Sequence, residues 1–182
     1  MKSFFQARCE LSHRVRFTLP ISTMLVVLIL DRISKELTLI HLQGSGPVVL
    51  IPGVLGLQYV ENTGMAFGLF SNVPWLLFAV RCVGLLLLLV YLFSGHLQKP
   101  LGYLGLSMAI AGGISNIIDV LLYGYVVHMI EFLFVRFAVF NVADSFITVG
   151  AVLIGIYFVF QHHFPPKERE SEADHDDQNS DS

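Results

Sequence analysis

The sequence predicts an integral membrane protein of four transmembrane helices with both termini cytoplasmic, all-α except for a small extracytoplasmic β element between helices 1 and 2. Three observations predict it. Of 182 residues, 54% are hydrophobic and only 14% charged, at a mean hydropathy of +0.69, more apolar than a soluble core needs. Four apolar runs are each long enough to cross a hydrocarbon core of about 30 Å at about 1.5 Å per residue. The basic residues of the short flanks fall almost entirely on one side of those runs.

In chain order, residues 1–18 form a basic arm with Lys2, Arg8, Arg14 and Arg16. A first span is expected over about 19–40. The arm and apolar run resemble a cleaved signal peptide in outline, but Asp31, Arg32, Lys35 and Glu36 interrupt the run and no small-residue cleavage site follows, so the helix is expected to remain. Val48 to Ile51 and Leu55 to Val60 are short β-prone runs separated by Pro52 and Gly53. The second span, about 74–93, opens with Trp75 as an interfacial anchor and carries Arg81 midway. The third, about 101–122, contains Ala109, Ala111, Gly112 and Gly113, which permit close helix packing. The fourth covers about 141–161. The spans are expected as helices because lipid offers the backbone no other hydrogen-bond partners.

Residues 41–73 contain no Lys or Arg, and only Arg136 lies between the third and fourth spans, so both termini are expected in the cytoplasm. Residues 162–182 form an acidic cytoplasmic tail with the composition of a disordered segment. Its seven acids account for the net charge of −3, since residues 1–164 hold nine bases and seven acids. Cys9 and Cys82 have no metal-ligand spacing, and neither a disulfide nor a metal site is expected from them.

An acid inside an apolar span is costly, about 2.5–3.5 kcal/mol for Asp at a helix centre, and is usually kept for a task. On the expected topology, Asp31 and Lys35 share a face in the outer half of the first helix, and Glu61 and Asn62 follow in the outer loop. Ser115, Asn116 and Asp119 end the third helix, and Asn141 and Asp144 begin the fourth. Four segments therefore deliver polar residues to one depth, which suggests a site. Asn116 to Asp119 and Asn141 to Asp144 both read Asn-x-x-Asp, a spacing that puts both side chains on one helix face. Two acids sharing a proton can act as base toward water and acid toward a carbonyl. The spacing alone leaves packing, capping and catalysis level, and Asn141 is also an ordinary N-cap residue.

Five motifs in order, Asp31-Arg-Ile-Ser-Lys35, Glu61-Asn-Thr-Gly-Met-Ala-Phe-Gly68, Gly112-Gly-Ile-Ser-Asn-Ile-Ile-Asp119, Gly124-Tyr-Val-Val-His-Met-Ile-Glu-Phe132 and Phe140-Asn-Val-Ala-Asp-Ser-Phe-Ile147, resemble the lipoprotein signal peptidases (signal peptidase II) from about Leu25 to Gly155. The resemblance implies an aspartic endopeptidase of the bacterial cytoplasmic (inner) membrane, with its site near the extracytoplasmic face. Its substrate would be a prolipoprotein, cut just before a cysteine carrying diacylglycerol; the implied partners are that precursor and membrane lipid, with no nucleic acid and no cofactor. It further implies Asp144 as one catalytic aspartate, and Asp31, Lys35, Asn62, Gly64, Ala66, Asn116, Asp119 and Asn141 as substrate-binding or site-supporting residues. The segment from Asn62 to Phe70 resembles a β element lying over the substrate.

Two positions depart from the family's pattern. His128 stands where the resemblance implies the second catalytic aspartate, and Val120 where it implies an arginine after Asp119. An imidazole beside Asp144 forms an ion pair in place of a shared carboxyl proton, and activity is expected to fall steeply. Glu131 would lie near the pair if its segment were helical, and Asp119 is a further partner for Asp144. Without the arginine, Lys35 or Arg32 is expected to supply the counter-charge of Asp119. The readings are a signal peptidase with an altered pair, a catalytically impaired relative that binds lipidated precursors without cutting them, and a proton-coupled or metal-binding membrane protein using Asp119, His128 and Asp144. The five ordered motifs argue against the last.

Overall fold

Apolar runs of about twenty residues can satisfy their own backbones only as helices, and the computed structural model shows them so. It describes residues 13–63 and 74–163. The helices are α1 (His13–His41), α2 (Pro74–Phe93), α3 (Pro100–Tyr123) and α4 (Val142–His163); between them lie β1 (Val48–Ile51), β2 (Leu55–Asn62) and β3 (Val126–Phe132). Each helix contains a stretch long and apolar enough to cross a membrane. α1 starts six residues before the expected position, because backbone bonding continues through Arg14 and Arg16, where a hydropathy count stops. Cys82 is a free thiol on α2, and Cys9 lies outside the described residues.

α3 is the central helix. It packs against each of the other three, and half of its apolar window is buried, against 11–22% for theirs. Pro100 occupies its first turn, where a missing N–H costs nothing. Gly124 ends it with φ +80° and returns its N–H to Val120 O at 3.0 Å, a left-handed cap that turns the chain straight into β3. At the end away from the sheet, Leu92, Leu97, Tyr103, Leu106, Ile110 and Tyr157 form the apolar core.

Small residues let α3 and α4 touch backbone to backbone. A Cβ on Gly112 would sit 2.5 Å from Ala143 O and 2.7 Å from Ile147 Cγ1, and one on Gly150 would sit 2.5 Å from Gly105 O. Gly112→Ala is expected to push the first turn of α4 away, destabilising the protein by about 1–3 kcal/mol. Thermal unfolding in detergent micelles checks this, with Gly84→Ala, which meets nothing within 4 Å, as the unchanged control.

The sheet closes the end of the bundle where α1 and α3 finish and α2 and α4 begin. Its order is β1-β2-β3, antiparallel throughout, with Val60 opposite His128 and Asn62 opposite Val126. β1 and β2 are the expected element; β3 extends it with a segment from between α3 and α4. Phe140 then bridges to β3 through Ile130 and carries the chain into α4. Because β3 is a strand, side chains alternate between its faces. Glu131, three residues from His128, therefore lies on the opposite face and supplies no second carboxylate beside Asp144, which corrects the helical expectation.

Candidate active site

Lys35 is the hub of the buried polar network. Its ammonium has three N–H donors, and three acceptors meet it: Asp31 Oδ2 at 2.6 Å, Asp119 Oδ2 at 2.7 Å and Asn116 Oδ1 at 3.1 Å. Lys35, Asp31 and Asp119 are all fully buried, so the ammonium and two carboxylates leave one negative charge to balance. Arg32 offsets part of it from the rim of the bundle, 3.5 Å from Asp119 Oδ1. Its guanidinium also pairs with Glu36, donates to Tyr123 Oη and lies 5.6 Å from the Tyr123 ring centroid. Lys35 and Arg32 are the cations that face Asp119 among the described residues.

The two acids of this hub position chain segments far away in sequence. Asp31 accepts from Ser115 Oγ at 2.6 Å and, through Oδ1, from the Ala143 N–H at 2.7 Å. It thereby satisfies one of the orphan donors in the first turn of α4. Asp119 Oδ2 accepts the Val127 N–H at 3.1 Å, while the Val127 carbonyl receives Asn141 Nδ2 at 3.0 Å. Val127, the residue just before His128, is held through both its N–H and its carbonyl.

Asp144 stands at the start of α4. Asn141 Oδ1 accepts the Asp144 N–H at 2.8 Å, and Asp144 Oδ2 accepts the Asn141 N–H at 3.2 Å, a reciprocal cap. Asn116 links the pair to the hub, donating from Nδ2 to Asp144 Oδ1 at 2.8 Å and accepting Asn141 Nδ2 at 3.0 Å. Capping and site-building are thus done by the same atoms.

His128 approaches from β3. Its Nδ1 lies 2.7 Å from Val139 O, which can only accept, so Nδ1 carries a hydrogen and Nε2 faces Asp144 Oδ2 at 3.3 Å. Burial pushes His128 below the ordinary histidine range, against the pull of the Asp144 charge and of the Val139 carbonyl; Lys35 adds to the lowering and Asp119 opposes it. Asn62 Nδ2 is 3.5 Å from Nε2, too long for a strong bond. The Asp144 side chain is 30% exposed and His128 only 9%, so the carboxylate is the more open member of the pair.

Both side chains line a cavity of about 870 Å³ that runs between α2 and α4, walled mainly by apolar residues such as Leu77, Val80, Phe140 and Ile147. Asn62 and Asn116 reach it near the acid, and Arg81 and Thr148 line it as well. Of the residues expected at the site, Asp31, Lys35, Asn116, Asp119, His128, Asn141 and Asp144 are joined in one network and Asn62 is at its edge; Gly64 and Ala66 lie outside the described residues. Asp119 is occupied by Lys35, Arg32 and the Val127 amide. Val139 was not legible beforehand, because its contribution is a backbone carbonyl. Among the described residues, no group of three His, Cys, Asp or Glu side chains is arranged to hold a metal ion.

This arrangement can be set beside known proteins. A family model described as Signal peptidase (SPase) II matches residues 23–160. The lipoprotein signal peptidase of Lactobacillus johnsonii is 35% identical over 136 residues, covering 75% of this chain and 88% of that protein. That of Streptococcus agalactiae is 34% identical over 142 residues, covering 78% and 91%. A bacterial membrane enzyme structure obtained by the in meso method at 2.3 Å resolution is similar in fold, with a TM-score of 0.75 at 24% identity over 84% of this chain and 94% of that one. A second, at 1.9 Å resolution, gives 0.72 at 26% identity over 79% and 94%. The family match takes in most of α1, all of α2 and α3, the sheet and most of α4, and with it the whole polar network: this chain is a multi-pass membrane protein and belongs to the signal peptidase II family, the lipoprotein signal peptidases.

Proposed function

We propose that this protein removes signal peptides from prolipoproteins in the bacterial inner membrane, cutting before a diacylglyceryl-cysteine, and that His128 and Asp144 together activate the water. The observation that carries this is the approach of His128 Nε2 to Asp144 Oδ2 at 3.3 Å, in the wall of a cavity that runs between two membrane helices. In this reading both termini are cytoplasmic and the site faces the extracytoplasmic interface, where the cleavage point of a membrane-spanning signal peptide would lie. The basic arm (1–18) and the tail (162–182) then flank one peptidase domain (19–161), with acyl chains remaining in lipid beside α2 and α4.

The pair holds one proton between Nε2 and Oδ2, as a carboxyl pair would. Asp144 takes a proton from water as the water oxygen bonds to the scissile carbonyl carbon, and Nε2–H gives its proton to the carbonyl oxygen. The tetrahedral diol then collapses. The C–N bond breaks, Asp144 returns its proton to the cysteine nitrogen, and a diol hydroxyl re-protonates Nε2 as the new carboxyl forms. Asn116 and Asn62 orient the peptide, and Gly64 and Ala66, outside the described residues, are substrate-binding positions in this reading. Asp31, Lys35, Asp119 and Asn141 hold the site together. The chemistry draws on water and these side chains alone.

The sign of the pH dependence follows from His128. Its active form carries the extra proton, and burial lowers its hold on that proton, so cleavage is present at acid pH and is lost as pH rises through a value below about 6.5. His128→Asp restores a carboxyl pair, in which two like charges hold a shared proton to higher pH. It is expected to raise cleavage of a diacylglyceryl substrate about tenfold or more at pH 7.5. Equal rates for the two proteins at ordinary family levels would overturn the assignment of His128. A second reading, binding without cleavage, is favoured by the same burial of the imidazole; it predicts no product from the unmodified chain at any pH, and product from His128→Asp.

A further inference from the structure

Arg81 lines the same cavity as His128 and Asp144, yet nothing in the mechanism uses it. It lies seven residues into α2, about 10 Å along the helix from Pro74. On α4, Thr148 lies four residues, about 6 Å, beyond Asp144 and lines the cavity too. Both α2 and α4 run inward from the sheet end, so Arg81 and Thr148 mark a level roughly one turn deeper than the acid. Arg81 is the one permanently cationic side chain among the described residues that line this cavity, and most of its neighbours there are apolar.

A substrate that brings its scissile bond to Asp144 must thread the preceding residues past that level. The last four carbonyls of a helix lack intrahelical partners and carry the negative end of its dipole. Between apolar walls and lipid there is no water to take them, and each unsatisfied group costs several kcal/mol. The two ester carbonyls of a diacylglyceryl group present the same acceptor chemistry beside the same bond. A guanidinium offers five donors in a fixed fork and stays charged in apolar surroundings.

We propose that Arg81 is a substrate-binding residue that donates hydrogen bonds to carbonyl oxygens of the bound prolipoprotein about one helical turn deeper than its scissile bond. This rests on the signal-peptidase reading for the identity of the ligand, and it adds a contact from α2.

The test is equilibrium binding of a fluorescent diacylglyceryl signal peptide to the full chain in detergent micelles, followed by anisotropy, with thermal unfolding recorded for each variant. Arg81→Met is expected to weaken binding about tenfold, one good charged contact's worth, and Arg81→Lys to recover part of it, with unfolding unchanged. In cleavage, the Arg81→Met loss is expected in KM, with kcat within about twofold. A dialkyl-ether analogue, which lacks the ester carbonyls, separates the sources. If the tenfold difference persists with the ether, the peptide carbonyls are the ligand; if it disappears, the esters are. Binding within twofold of the unmodified chain on both ligands overturns the proposal, as does an equal loss in Lys and Met variants with lowered unfolding temperature. Cleavage of the same peptide by the unmodified chain is scored separately and reports on the peptidase reading alone.

Discussion

Asp144→Asn is expected to lower cleavage of a diacylglyceryl substrate by about 10²–10⁴-fold, the range that a positioned acid or base contributes. The amide can keep the acceptor role toward the Asn141 N–H, now 3.2 Å from Oδ2, so the cap at the start of α4 survives in outline. It cannot take a proton from water. Thermal unfolding should therefore move little while product formation collapses, and cleavage that survives the change would remove Asp144 from the chemistry.

The largest effect on stability is expected at Lys35. Its ammonium is the only partner within 4 Å that neutralises Asp31 and the nearer of two that neutralise Asp119 among the described residues. Removing one member of a buried ion cluster typically costs about 3–5 kcal/mol, because the remaining charges are left uncompensated. Lys35→Met keeps much of the volume and loses the charge; the expected result is a protein that unfolds at markedly lower temperature in detergent. Adding Asp119→Asn to Lys35→Met removes one stranded carboxylate and should return part of the loss. If the double variant is no more stable than the single one, the cost at Lys35 is packing and not charge.

The same residues explain what was legible in the sequence. Four apolar runs gave the helices, since in lipid length and hydropathy leave few alternatives. The i, i+4 spacing of Asp31 and Lys35 and the repeated Asn-x-x-Asp gave the polar faces, because helical periodicity fixes which side chains are neighbours. The third strand was not legible: Val126 to Phe132 is a seven-residue run with a His and a Glu inside it, too short for periodicity to separate strand from helix. The choice matters, since it puts Glu131 on the face away from Asp144. Long-range contacts were equally hidden. Asp31 satisfies the Ala143 amide across 112 residues, and Val139 fixes the His128 tautomer through a backbone carbonyl that no side-chain pattern announces. Arg81 was visible as a charge in an apolar run, but not the cavity it lines.

The helix bundle buries two carboxylates and one ammonium, and Arg32 at the rim adds a second positive charge that it shares between Asp119 and Glu36. Asp144 and His128 stand outside that balance, linked to it through Asn116 and Asn141. Those two asparagines fix Asp144 relative to the hub.

In the proposed function, His128 and Asp144 form a working pair. The most direct measurement incubates the purified, unmodified chain with a prolipoprotein peptide carrying diacylglyceryl-cysteine, across pH 5–8, and identifies the products by mass spectrometry. The expected result is a new amino-terminal diacylglyceryl-cysteine fragment whose rate of formation falls as pH rises through a value below about 6.5. No fragment at any pH, from a chain in which His128→Asp alone yields that product, would contradict it.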